Sequence, residues 1–292
     1  MKRPTLDILI GPPGSSKSTY AKERYSNAVI ISSDEIRKEL YGDENIQGDP
    51  QEVFSLMHKR TLEALNQGKY VVYDATNMTR KDRASIINIC PKFVRIRAVV
   101  VWASIETCIA RDAARDRTVG KAVIDKMLKR FQAPYFDEGF DEITVHMSEN
   151  TNSDYVNKLV KAMDIPHDNP HHTNNILQHC LEASVNFDIE ELNDAELYWA
   201  AKYHDVGKPY VKAFVNSKGE PCDIAHYYQH QCVGAWMCYG IFGSDLWWDT
   251  RYIAWLISTH MDPFINTKYY NKLPEYLKRD IDKLHEADLN AH

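Results

Sequence analysis

The chain has 292 residues, 44% hydrophobic and 26% charged, an ordinary make-up for a soluble globular protein and length enough for about two domains. No apolar run approaches the roughly 20 residues that cross a bilayer, which excludes a membrane partner reached through a spanning helix. Residues 1–165 hold 25 Lys and Arg against 23 Asp and Glu, and residues 166–292 hold 10 against 18. Neither half suits a protein that coats duplex nucleic acid, so a nucleic-acid substrate would be met at an end. The six cysteines include no CxxC pair and read as reduced thiols of a cytoplasmic protein.

In chain order, Leu6–Ile10 predicts a first strand, its apolar stretch being too short for a signal peptide. It runs into Gly11-Pro12-Pro13-Gly14-Ser15-Ser16-Lys17-Ser18-Thr19 and a helix over Ser18–Tyr25. Strand, glycine loop and helix form the context of a P-loop. The loop amides can wrap a nucleotide phosphate, Lys17 can reach the β and γ oxygens, and the Ser18 hydroxyl can ligate Mg²⁺. Ser16 stands where this motif usually has glycine. A second strand, Ala28–Ser32, leads to Asp34 and a helix over Glu35–Leu40. A carboxylate at that strand end can take the proton of an attacking hydroxyl, or it can cap the helix. Arg37 is placed to hold a phosphate of the acceptor.

A helix over Pro50–Gln67 and a strand over Tyr70–Tyr73 follow. The polar cluster Asp74-Ala75-Thr76-Asn77, followed by Arg80, Lys81 and Arg83, falls where strand ends meet a ligand crevice. Next come a helix over Arg80–Ile89, a strand over Val94–Val101 and a helix over Ile105–Arg115. Arg111, Arg115 and Arg117 lead into Gly120, a pattern for a lid closing over nucleotide. A helix over Ala122–Phe131, a strand over Ile143–His146 and a helix over Ser153–Met163 complete a domain at 1–165. The alternation predicts an α/β fold, a parallel sheet with helices on both faces.

A linker over Asp164–Pro170 separates a domain at 166–292 in which strand-like alternation is nearly absent. Helices are expected over Asn174–Phe187, Asp194–His204, Ala225–Tyr239, Trp248–His260 and Pro274–Asn290, an all-α domain. Ten of the 12 histidines fall beyond residue 166. His179, His204, His226, His230 and His260 sit in or beside apolar helical stretches, where an unpaired polar ring is costly. A lone one would be a satisfied core residue. Five of them, with Asp205 beside His204 and Asp288 late in the chain, predict a metal site. His171 and His172 are candidate substrate contacts, and Lys208 can neutralise a phosphate or protonate a leaving group.

On GPPGSSKSTYAKE, SSDEIR, YDATNMTRKDR and the arginine-rich lid, the first domain resembles the 5′-OH polynucleotide kinases of the phage end-healing type. That resemblance implies ATP and Mg²⁺ at Lys17 and Ser18, Asp34 as general base and Arg37 on the acceptor's 3′ phosphate. It also implies Arg117 on the transferring phosphoryl group. The second domain resembles the HD-domain metal-dependent phosphohydrolases, whose order His…His-Asp…Asp falls on His179, His204, Asp205 and Asp288. His230 and His260 are then available for a second ion, and one or two ions among Mn²⁺, Mg²⁺, Ni²⁺, Co²⁺ and Fe²⁺ are implied. Together the two are similar to enzymes that fuse an HD phosphoesterase to a polynucleotide kinase, with the kinase first here. The expected function is healing of broken RNA or DNA ends, upstream of a ligase. The alternative keeps both sites but makes the substrates small, a nucleoside or metabolite kinase joined to a nucleotide phosphohydrolase. A third reading is an ATP-dependent switch with a regulatory second domain.

Overall fold

Residues 5–10, TLDILI, contain neither Gly nor Pro, and Leu6, Ile8, Leu9 and Ile10 are fully buried. Near-continuous burial is what a central strand of a parallel sheet requires. This strand anchors the first of two units in the computed structural model, which describes residues 3–116, 118–170, 173–191, 194–243 and 248–291. The first unit comprises Met1–Met127 and Pro134–Glu149, the second Leu128–Ala133 and Asn150–His292.

The first unit runs β1 (Thr5–Ile10), α1 (Lys17–Arg24), β2 (Val29–Ser32), α2 (Ser33–Tyr41), α3 (Pro50–Asn66), β3 (Val71–Asp74) and α4 (Arg80–Ile87). It continues with β4 (Arg95–Trp102), α5 (Ile105–Ala113), α6 (Lys121–Leu128) and β5 (Glu142–Met147). Local signals start the helices. Asp49 caps α3 with Pro50 at its first position, and Thr79 and Asp82 form a reciprocal capping box on α4. Among the described residues the strands form one sheet in the order β2-β3-β1-β4-β5, every pair parallel. Leu9, Val72, Val99 and Val101 on the sheet pack with Ala21 and Tyr25 from the α1 segment. With β3 and β4 on either side of β1, the winding reverses there, and the crevice at its carboxyl end is the place for a ligand.

The second unit continues with α7 (Ser153–Met163), α8 (Ile176–Ser184), α9 (Ala195–Tyr203), α10 (Lys208–Val211), β6 (Ala213–Val215) and β7 (Pro221–His226). It ends with α11 (His230–Phe242), α12 (Thr250–Thr259), α13 (Asp262–Ile265), α14 (Thr267–Tyr270) and α15 (Glu275–Asn290). Eleven successive residues of α11, from His230 to Gly240, are buried, as befits a helix at the centre of a bundle. It packs on α12, α12 packs on α9, and α8 and α15 complete the group. No described helix is long and apolar enough to cross a membrane.

Three expectations change. The helix at Ser153–Met163, expected to close the first domain, belongs to the second unit, because it packs on α8, α10 and α11. The boundary expected at 165/166 moves accordingly, with Asn150 onward, and Leu128–Ala133 besides, grouping with the second unit. Phe131 explains the latter, since its ring packs edge-on against Trp236 and Tyr239. The helix expected over Ala225–Tyr239 begins only at His230. Residues 221–226 instead pair with β6 as an antiparallel hairpin, so the second unit is helical but not all-α.

Candidate active sites

The loop between β1 and α1 turns where only small residues fit. A side-chain carbon on Gly14, at φ +81°, would lie 2.1 Å from the Cys108 carbonyl oxygen. Ser16 has φ 72° and ψ 24°, a left-handed conformation costing a non-glycine residue about 1–2 kcal/mol. Its hydroxyl is anchored in return: Arg111 Nη1 donates to Ser16 Oγ and to Ser148 Oγ, each at 2.9 Å. A charge-assisted bond of this kind offsets the backbone cost. Lys17 is buried, and its Nζ donates to the Pro12 carbonyl at 2.9 Å across the loop. Burial pushes its pKa down, while the Asp74 carboxylate works the other way. A bound phosphate would favour the charged ammonium further.

Ser18 Oγ donates to Asp74 Oδ2 at 2.7 Å. Asp74 closes β3 beside β1, is buried, and has its carboxyl pKa raised by that burial against the pull of Lys17 and Ser18. A hydroxyl and a carboxylate in contact are hard oxygen donors of the kind Mg²⁺ takes. The sequence placed Asp74 in the crevice without a role. Its position at the end of the strand next to the P-loop strand was the available signal.

Asp34 is the second residue of α2, whose cap position is Ser32, so its competing use as a helix cap is set aside. Arg37 Nη1 donates to Asp34 Oδ1 at 2.8 Å. Among the described residues the buried Arg37 Nε has no hydrogen-bond partner. The neighbouring polar cluster divides by role. Asn77 Nδ2 donates to the Leu9 carbonyl at 2.7 Å, and Gly11 N to the Thr76 carbonyl at 3.0 Å. Arg83 makes a buried two-point ion pair with Glu138, at 2.8 and 2.6 Å. These groups hold the loop's foundation rather than a ligand. Asp112 accepts from the amides of Val119 and Gly120 and ties down the arginine-rich segment after α5. Arg117 lies outside the described residues.

In the second unit, side chains from separate helices meet at one point. His179 comes from α8, His204 and Asp205 follow α9, His230 opens α11, His260 follows α12 and Asp288 comes from α15. His179, His204 and Asp205 form one potential metal-binding group, and Asp205, His230 and His260 another. His179 Nε2 lies 2.9 Å from Asp288 Oδ1 and 3.3 Å from His204 Nε2, and His230 Nε2 lies 3.2 Å from His260 Nε2. Asp205 spans the two groups: Oδ2 is 3.3 Å from His204 Nε2 and Oδ1 is 3.1 Å from His230 Nε2.

The ring nitrogens that face away decide what this cluster can hold. His179 Nδ1 lies 2.8 Å from the Ala291 carbonyl oxygen, His204 Nδ1 2.7 Å from that of Ala201, His230 Nδ1 2.9 Å from that of Tyr227 and His260 Nδ1 2.8 Å from that of Ile257. A carbonyl oxygen can only accept, so each Nδ1 carries a proton and each Nε2 turns inward. Neutral rings would then aim lone pairs at one another and at two carboxylates. Protons or a cation must occupy the space between them. Burial disfavours a charged His204, yet Asp205 and Asp288 raise its pKa well above the usual imidazole range. Burial works against charged Asp205 too, yet His204 and Lys208 hold its pKa far below the carboxylate norm. His260 is pushed down to about 3 by burial and by its imidazole neighbours, so it is a neutral donor. Imidazoles oriented by backbone carbonyls together with carboxylates are a donor set that fits one or two divalent transition ions.

Lys208 Nζ lies 2.5 Å from Asp205 Oδ2 and 5.4 Å over the Tyr227 ring. His226 is not among the converging donors; its ring stacks on Tyr228. His171 and His172 lie outside the described residues. The sequence missed His167, which it assigned to the linker. Its ring is buried 5.5 Å from that of His179, and Nδ1 meets the Asn174 carbonyl at 2.8 Å. Nothing in its local pattern, flanked by prolines and Asp168, marks it as interior.

Residues 6–134 match the family model described as an AAA domain. The chain is 29% identical over 161 residues to transcription factor bHLH140 of Arabidopsis thaliana, covering 53% of this chain and 17% of that one. It is 28% identical over 142 residues to the bifunctional polynucleotide phosphatase/kinase of Schizosaccharomyces pombe, covering 47% of this chain and 32% of that one. The matched region thus spans less than a third of either relative. A solved structure of the Pnkp1/Rnl/Hen1 RNA repair complex is 24% identical, with a TM-score of 0.42, covering 48% of this chain and 47% of that one. The family match, the loop and the five-stranded parallel sheet agree: the first unit fits a P-loop kinase fold, and a P-loop kinase implies ATP and Mg²⁺.

Proposed function

We propose that this chain heals nucleic-acid ends, phosphorylating a 5′-hydroxyl from ATP in its first unit and removing a 2′,3′-cyclic or terminal phosphate in its second. The observation that carries the reading is the inward convergence of His179, His204, Asp205, His230, His260 and Asp288 in a chain that also holds a P-loop. A phosphate-adding site and a phosphate-removing site in one protein make chemical sense on a break that leaves 5′-OH and 2′,3′-cyclic phosphate.

In the first unit, Lys17 and the loop amides hold the β and γ phosphates, with Gly11, Gly14, Ser15, Ser16 and Thr19 shaping the loop. Ser18 and Asp74 supply oxygen donors for Mg²⁺. Asp34 accepts the proton of the attacking 5′-hydroxyl, and the guanidinium of Arg37, held beside Asp34 through Nη1, takes the acceptor's phosphate. Arg117 neutralises charge on the transferring group. In the second unit, a divalent ion would acidify water and polarise the phosphoester. Asp205 spans both donor groups, the Nδ1 bonds fix the imidazoles with Nε2 inward, and Lys208 protonates or neutralises the departing oxygen. A ligase is the downstream partner, and the compartment is the cytoplasm.

The deciding experiment follows both ends of one RNA oligonucleotide bearing 5′-OH and 2′,3′-cyclic phosphate by mass spectrometry, with ATP, Mg²⁺ and Mn²⁺. Phosphate gained at the 5′ end and lost at the 3′ end is the expected result. No change at either end, in folded and metal-loaded protein, would transfer the proposal to nucleosides or other small substrates.

A further inference from the structure

The short β6–β7 hairpin and the turn after it carry apolar side chains in water: Phe214 is 46% exposed, Ile224 43% and Tyr228 47%. A hairpin this small gains little stability from such exposure, and clustered exposed apolar groups mark a surface for binding. Along β7 and just beyond it, Ile224, His226 and Tyr228 alternate onto one face, with Asp223 and the buried Ala225 on the other. His226 and Tyr228 lie flat on each other, ring centroids 5.2 Å apart and planes within 5°, and Tyr228 Oη is 3.3 Å from His226 Nδ1.

This stripe leads straight into the metal-type cluster. Gln229, at φ +67°, swings the chain from the stripe to His230, the first residue of α11. Between them Tyr227 accepts the His230 Nδ1 proton on its carbonyl, carries Lys208 over its ring and donates its hydroxyl to the His167 carbonyl. A flat aromatic and aliphatic surface is thus fastened to the residues that would receive a phosphate, with an ammonium group beside the junction.

We propose that Ile224, His226 and Tyr228 form a stacking platform for the 3′-terminal bases of a single-stranded nucleic acid whose end phosphate enters the cluster. The proposal rests on the phosphoesterase reading above and names what its site would grip besides the phosphate. His226 and Tyr228 cover one face of each other's ring, so a terminal base extends that stack on the remaining face of the half-exposed Tyr228 ring, with Ile224 at the next same-face position along β7. Base–aromatic stacking tolerates any sequence, and the exposed Asp223 on the opposite face would not oppose the strand's charge.

The test uses the full-length, Mn²⁺-loaded protein and a short RNA carrying a 3′ phosphate and 4-thiouridine as its last nucleotide. Photocrosslinking should label the peptide 221–230, and Tyr228→Ala should reduce the yield. The same variant should raise KM for the oligonucleotide by about 5- to 100-fold relative to its effect on p-nitrophenyl phosphate, while Tyr228→Trp restores it. Crosslinks confined to other segments, or an oligonucleotide KM that moves no more than that of the small ester, would overturn the platform. Wild-type protein that hydrolyses neither ester would refute the phosphoesterase reading instead, and the crosslink would still report on the platform.

Discussion

One carboxylate belongs to both donor groups, so its loss should cost more than the loss of a ligand at either end. Asp205→Ala should empty the second unit of transition metal by elemental analysis while kinase turnover persists. His260→Ala should retain part of the metal, because His179, His204, Asp205 and Asp288 remain together. Equal metal content in wild type and Asp205→Ala would refute the ligand set. Acid should compete with metal at the same place. The His204 pKa is raised in the metal-free cluster, against the effect of burial, by Asp205 and Asp288, so an entering ion must displace a proton. Affinity for Mn²⁺ should therefore rise with pH across the neutral range, by roughly tenfold per unit for one proton displaced. Titration calorimetry in buffers of different ionisation enthalpy would count that proton, and a pH-independent affinity would argue that His204 binds no metal. In the first unit, Asp34→Asn should lower 5′-phosphorylation by more than about a hundredfold with ATP binding retained. Near-normal turnover would remove Asp34 from the mechanism.

At the scale of elements, a glycine sets the approach of two helices at the metal-type cluster. A side-chain carbon on Gly207 would lie 2.2 Å from the His230 carbonyl oxygen and 2.7 Å from Gly234 N. Gly207→Ala must push α10 from α11 and carry His230 away from Asp205. The expected cost is about 1–3 kcal/mol of stability with weakened metal binding, measurable by denaturant titration with and without Mn²⁺. The P-loop domain was legible because β1, β2 and β3 are short, largely apolar runs closed by Gly11, Ser32 and Asp74, and Lys17 and Ser18 follow β1 at fixed spacing. The converging donors were legible as types, since histidines in apolar helices need partners. The hairpin was not. CDIAHYY resembles the start of the following helix in apolar content, and the break at Gln229 depends on a left-handed backbone that its residue type does not announce. The role of Asp74 was hidden as well, because only strand order brings it to Ser18.

Across the whole molecule, the P-loop and the converging His/Asp cluster lie in separate units, so the two proposed chemistries should be separable by mutation. Lys17→Ala should abolish phosphate gain at a 5′ end and leave 3′ processing unchanged, and His204→Ala should do the reverse. Mass spectrometry of both ends reads the two outcomes in one sample, and a variant that lost both would refute the independence of the sites. The acidic balance of residues 166–292 bears on the proposed substrate too. On the proposed function, an excess of negative charge that disfavours long polyanions would leave an end, with its concentrated terminal phosphate, as the favoured point of entry.

The carbonyls that orient the imidazoles differ in how far along the chain they lie. His204, His230 and His260 each use an oxygen three residues back, whereas His179 uses that of Ala291, 112 positions away. Three rings can thus be oriented as soon as their own turn of backbone forms. The fourth waits until α15 has docked against α8, the same event that delivers Asp288. The half of the cluster that holds His179 and Asp288 is therefore complete only when α15 is in place.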